Sequence, residues 1–237
     1  MAITEDASTP AIVSGTGSGG TNTIVTASFT PPANTLLVAL VGNVSSLTSP
    51  TIALSDSVSG TWTQAVQAIS TASFFGLVKI YYRYLSSAPG AMTVTGTYTN
   101  AGGRFLAVRV LNGAKSVQTG AGTGSTVNGT NTTAGTTSIT TTITGSQVYG
   151  LSNDTSANTP LTLNGSTSLL TGGDFADATD TGRMVGWKAT STTGTPGATT
   201  LGGTWGTTSK SNIVAFEVLP AAAVLLWKPT RGPNYRR

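Results

Sequence analysis

The chain contains no cysteine and no histidine, and only 8% of its residues are charged. Without cysteine there is no disulfide and no thiolate metal site. Without histidine it lacks the commonest general base at neutral pH and the commonest metal ligand. Ser–His–Asp, Cys–His and His–zinc chemistry are therefore excluded. Ordinary soluble domains carry roughly 25% charged residues, so this surface must be covered by Thr, Ser, Asn and Gly. No run approaches the ~20 apolar residues that span a bilayer. The start, Met1-Ala2-Ile3-Thr4-Glu5-Asp6, also lacks the basic-then-apolar pattern of a secretion leader.

The charge that is present is unevenly placed. Lys228, Arg231, Arg236 and Arg237 account for the whole net charge of +4, and the rest of the chain balances eight bases against eight acids. A neutral body with a short cationic end reads as a folded module with a docking arm. At 237 residues, one large all-β domain is the natural expectation.

Period-2 alternation recurs along the chain, and no useful helical stripe appears. Val78, Ile80, Tyr82 and Tyr84 alternate with Lys79, Tyr81 and Arg83; Leu106, Val108 and Val110 alternate with Ala107 and Arg109. Val214, Phe216 and Val218 oppose Ala215 and Glu217. Such patterns predict strands buried on one face, with Glu217 on the surface. Residues 35–44 (TLLVALVGNV) are apolar on both faces, as in a central strand. Turn signals at Pro31-Pro32, Pro89-Gly90, Asn112-Gly113, Asn164-Gly165 and Pro196-Gly197 separate many short strands, which predicts a two-sheet antiparallel sandwich.

Three regions follow: a polar lead-in over 1–22, a β-sandwich over 23–219, and an extended basic C-terminal arm over 220–237. A weak internal repeat relates 87–114 to 194–222. Both run from a Pro-Gly turn through a Thr-rich strand ending in an aromatic to a strand ending Val-Leu. Residues 113–137, dense in Gly, Thr and Asn, read as a long connection or exposed loop.

Few residues invite chemistry. Gly15 to Gly20 matches G-x-G-x-x-G, but β-like residues follow it where a phosphate-binding helix is required. Asp174, Asp177 and Asp180 form the densest acidic cluster. Their spacing is not that of a helix–loop–helix calcium site, and an exposed acidic loop is the expectation. No cofactor, metal ligand set or catalytic residue is expected, and no pair of acids stands at recognisable glycosidase spacing. Trp62, Trp187 and Trp205 are expected to fill a core or an interface, with Trp62 and Trp205 in the core. Trp227, beyond the last strand, is expected to anchor an interface. With Lys228, Arg231, Tyr235, Arg236 and Arg237 it forms the expected partner-binding set. Four charges with no basic patch on the body are thin for nucleic acid, so an acidic protein groove is the expected partner.

Residues 28–41 (SFTPPANTLLVALV), 105–114 (FLAVRVLNGA) and 136–152 (TTSITTTITGSQVYGLS) resemble the small jelly-roll-like domains of tailed-bacteriophage virion proteins, mostly minor tail or head accessory proteins of phages infecting actinobacteria. The resemblance implies an antiparallel jelly-roll sandwich and a non-enzymatic virion component. It would be a capsid decoration, head-fibre or minor tail subunit on the particle surface, with a homotrimer as the expected assembly. Its partners would be the major capsid or tail protein, with no nucleic acid and no membrane. The alternative is a carbohydrate- or receptor-binding module that contacts host surface glycans.

Overall fold

A computed structural model describes residues 2–16, 21–45, 50–70, 75–99, 102–155, 158–177 and 182–222. The described residues contain fifteen strands and no helix. In chain order these are β1 (Thr4–Glu5), β2 (Val13–Gly15), β3 (Thr21–Val25), β4 (Thr35–Ser45), β5 (Thr51–Asp56), β6 (Thr63–Ile69), β7 (Phe75–Leu85) and β8 (Val94–Thr99). They continue with β9 (Gly103–Asn112), β10 (Thr123–Thr141), β11 (Gln147–Asp154), β12 (Leu161–Leu163), β13 (Thr167–Asp177), β14 (Gly182–Ala189) and β15 (Gly197–Val218).

The strands form three antiparallel sheets where the alternation predicted two. The first has the order β1-β9-β4-β7-β6, with β2 also on β9; the second has β10-β15-β11-β14-β13, with β12 on β15; the third is β3-β8-β5. The first sheet lies in the middle. One of its faces, with Leu37, Ala39, Val41, Leu106, Val108 and Val110, packs on Ile52, Val94 and Tyr98 of the third sheet. The other face, with Leu36, Val38, Leu40, Val78, Ile80 and Phe105, packs on Tyr149, Leu151, Met184, Val214 and Phe216 of the second. This explains why 35–44 is apolar throughout: β4 is buried on both sides, as a strand between two layers must be.

The outer face of the second sheet is covered too. The β10–β15 ladder runs from Thr123↔Phe216 to Thr141↔Gly197, with register shifts between Asn128, Thr132 and Ala134. At these bulges the ladder bends back, as bulges allow. Thr126 then donates its hydroxyl to Thr137 of the same strand at 2.9 Å. A Cβ added to Gly124 would stand 2.4 Å from the Ser138 carbonyl oxygen, and one on Gly122 would stand 2.1 Å from that of Thr140. The folded ribbon closes over Val148, Val185, Trp187, Ile213 and Ala215, adding Ile139, Leu201 and Trp205 to a third core. Residues 113–137 are thus largely strand, and the glycines that made them look like a loop permit this close approach.

Several one-sided strands turn out to be two-sided. Glu217 is fully buried beneath the ribbon. The Thr-rich strand and the strand ending Val-Leu that the repeat placed in 194–222 are one bent strand, β15. The lead-in contributes β1 and β2, both paired with β9. In the arm, Pro220 forms a bridge with Ala114, and the Ala221 N–H donates to Gly113 O at 2.7 Å.

The weak repeat has a structural counterpart. In the first half, β1 and β2 pair with β9, then come β4, β7 and β6; a second sheet holds β3-β8-β5. In the second half, residues 123–128 of β10 pair with the end of β15, then come β11, β14 and β13. Residues 134–141 of β10 pair with the start of β15, which pairs in turn with β12. Strand for strand the two orders are the same, so the chain folds one topology twice. The halves meet through their larger sheets, where Tyr82 stacks on Phe216 with centroids 5.5 Å apart. Asn153 donates to the Asn43 carbonyl at 2.8 Å across the same interface. Glu5 sits at its margin, 3.2 Å from Lys188 Nζ and 3.5 Å from Arg109 Nη1.

Candidate functional site

The partner-binding residues named from sequence, Trp227, Lys228, Arg231, Tyr235, Arg236 and Arg237, lie outside the described residues. So do Asp180 and residues 17–20 of the Gly-rich stretch.

The acidic cluster is not a loop. Asp174 and Asp177 both lie on β13, three positions apart, so they project from opposite faces. Asp174 is exposed and holds Arg183 of β14 through two bonds, at 2.7 Å from Nε and 2.5 Å from Nη2. Asp177 is fully buried. These two carboxylates cannot converge on one cation. Trp205 and Trp187 are core side chains, and Trp187 Nε1 donates to the Ser152 hydroxyl at 2.9 Å. Trp62 is half-buried, with one edge fixed by Asp56.

Two further acids organise the framework. The Asp56 side chain is buried at the β5–β6 turn. It accepts from Val58 N at 3.0 Å, Gly60 N at 3.1 Å and Trp62 Nε1 at 2.7 Å, and pairs with Arg83. Burial pushes its carboxyl up, but the bonds from Gly60, Arg83 and Trp62 outweigh that and hold it below the ordinary value. Asp56→Ala removes all four bonds and strands a charge on Arg83. It should cost about 3 kcal/mol, read as a lower urea midpoint with unchanged slope. Glu217 organises the other half from a different strand. It accepts from Gly122 N at 2.7 Å, Thr142 N at 2.8 Å, Thr142 Oγ1 at 2.8 Å and Ser146 Oγ at 2.6 Å.

A cleft of about 420 Å³ opens at the end of the second half where β14 runs into β15. Its wall is the connection 190–196 with Ser166 and Thr199, and its floor is Val148, Ala189 and Leu201. No lining residue carries a charge. Thr193 is held by the framework, its hydroxyl 2.9 Å from that of Ser146 and its carbonyl accepting from Gly145 N. The hydroxyls of Ser166, Ser191, Thr192, Thr195 and Thr199 bond to no other described residue. The cleft was invisible to sequence reading because Thr and Ser are common everywhere in the chain. The signal that existed was the repeat itself, where 190–199 (TSTTGTPGAT) replaces 84–92 (YLSSAPGAM).

No family model matches this chain, and no curated protein or solved structure resembles it at a significant level. Its class is set by its own geometry: an all-β protein of stacked, open antiparallel sheets.

Proposed function

We propose that this chain is a non-enzymatic structural subunit of a bacteriophage particle, a capsid decoration, head-fibre or minor tail protein fastened by its C-terminal arm. The observation that carries the non-enzymatic part of this reading is the use made of its acids. Seven of the eight fall among the described residues, and each is engaged in the β framework. Glu5, Asp56 and Asp174 pair with bases, Asp6 with Asn112 and Ser8, Asp154 with Ser209, and Glu217 with the ribbon. Asp177 is buried and has a partner as well. With neither histidine nor cysteine in the chain, carboxylates are the natural general acids and bases, and the described ones are committed to architecture.

The strand order supports the finer reading of a jelly roll. With β1 and β2 counted as one strand, each half places its first strand beside its last, then its third, sixth and fifth, and sets the second, seventh and fourth in a facing sheet. The run of first, last, third and sixth strands is shared with the jelly rolls of viral capsids and lectins, and the fifth strand, β6 or β13, departs from them by extending the larger sheet. Fold alone does not fix function, and the particle-bound location rests on the resemblance and on the cationic end. The chain is tied to the body through Ala221, so Trp227, Lys228, Arg231, Tyr235, Arg236 and Arg237 follow a short spacer. Buried aromatics supply affinity at such contacts, and like-signed charge steers the arm to an acidic shell. A homotrimer seated on the major capsid or tail protein is the assembly we favour.

Truncation after Ala222 tests this. The shortened chain should keep its circular dichroism and melting profile yet fail to sediment with particles. Incorporation at the full copy number would refute the arm's role.

A further inference from the structure

The two halves differ where the cleft lies. Their ladders can be matched by register. Pro89-Gly90 and Tyr98 correspond to Pro196-Gly197 and Trp205, and β9 corresponds to the end of β15. Leu36 faces both Leu111 and Tyr84, while Gln147 faces Val218, and its neighbour Tyr149 faces Lys188. Carrying these registers along sets Arg83 against Ala189, Leu85 against Ser191 and Met92 against Thr199.

In the first half this place is closed. Leu85 and Met92 are buried in the core, Trp62 and Val58 pack against it, and Arg83 spans the mouth to Asp56. In the second half the β5–β6 turn of 57–62 is replaced by the three-residue turn 164–166, so no tryptophan reaches across. Arginine becomes alanine, leucine becomes serine and methionine becomes threonine. A plugged core in one half is a hydroxyl-walled cleft in the other. A merely eroded core would leave apolar surface in water; here the wall has been made polar while the floor remains Val148, Ala189 and Leu201.

We infer that this cleft is a binding site for a neutral saccharide. The absence of charge disfavours phosphates, carboxylates and basic peptides. A small ligand with many hydroxyls is matched by free Ser and Thr hydroxyls on the wall, and its C–H faces by the apolar floor and Pro196. The volume is at the low end for small-molecule sites and suits a mono- or disaccharide unit. No aromatic platform lines the cleft, so single-site affinity should be weak, with Kd about 1 mM. Many copies on one particle would raise the avidity well above that. This deepens the virion reading by giving the displayed body a host-surface ligand, but it does not depend on the arm.

The test is amide chemical-shift mapping of the full chain against a panel of methyl glycosides and disaccharides of glucose, galactose, mannose, rhamnose and N-acetylglucosamine. At least one should shift amides of 190–199 saturably. The double variant S191L/T199M copies the first half's filling, should keep or raise the melting temperature, and should weaken binding at least about tenfold. G165F provides a second block, because a Cβ at Gly165 meets nothing within 4 Å. A panel that shifts no cleft amide, or binding that survives both fillings, overturns the inference. Both variants retain 220–237, so this failure would be distinct from a failure of particle attachment.

Discussion

Replacing Glu217 with alanine is expected to destabilise the protein by about 4 kcal/mol, lowering Tm by about 10 °C. The residue is fully buried, and its carboxylate gathers donors from three separate places: Gly122 before β10, Thr142 after it, and Ser146 before β11. Alanine would take their shared acceptor from three backbone N–H groups, of Gly122, Thr142 and Ile143, and from the hydroxyls of Thr142 and Ser146. Glutamine at this position would keep one acceptor oxygen but turn an amide N–H₂ toward donors, so Glu217→Gln should cost about half as much. Burial pushes the Glu217 carboxyl up, yet the bonds from Ser146, Gly122 and Thr142 together outweigh it and hold it below its ordinary 4.5. A depressed folded pKa means the stabilisation is complete above the unfolded value and is lost as pH falls through the folded one. Asp56 and Asp6 are depressed as well. Stability should therefore hold from neutrality down to about pH 5 and fall on further acidification. The Glu217→Ala protein should show a shallower acid limb in a series of melts against pH; an unchanged limb would show that this carboxylate is not linked to folding.

Gly124→Val carries the second large effect. The strand passes so close to its own returning half that a Cβ here would lie 2.4 Å from the Ser138 carbonyl oxygen. That atom belongs to backbone paired with β15, so it cannot swing away as a side-chain tip could. A valine should pry the ribbon from the sheet and partly expose Trp187 and Trp205, at about 3 kcal/mol or more. Red-shifted tryptophan emission would accompany the loss. Gly129 is the control: its Cβ meets nothing within 4 Å, so Gly129→Ala should leave stability nearly unchanged. Equal losses at both positions would mean the fold-back is not held by this contact.

These two sites mark where sequence was and was not legible. The class, most strand positions and the facing directions of Val78, Ile80, Tyr82 and Tyr84 follow from alternation, because side chains on a pleat must point alternately. The number of layers does not. Arg109 and Glu217 read as surface positions because charge usually marks solvent; here Glu5 and the ribbon donors pair them inside. Residues 123–135 read as loop because their side chains are small, whereas smallness is what lets two strand segments touch. Asp174 and Asp177 read as one acidic loop, but intervening Phe175 and Ala176 pair with Met184 and Arg183 in a ladder, and that separates the two carboxylates. The repeat was visible through its Pro-Gly turns and Val-Leu ends. The cleft was not, since it is defined by what its twin contains.

The meeting of the halves through their broad sheets has a consequence for how the molecule can multiply. Two free copies of such a unit would join by these same faces; in this chain both are already taken, sealed by Tyr82 against Phe216 and by the asparagine contact between Asn43 and Asn153. A ring or lattice of these molecules would then use other surfaces, among them the sheet edges at β6 and β13. Polymer geometry is then a matter of rims, with the internal pseudo-pair contributing as one unit.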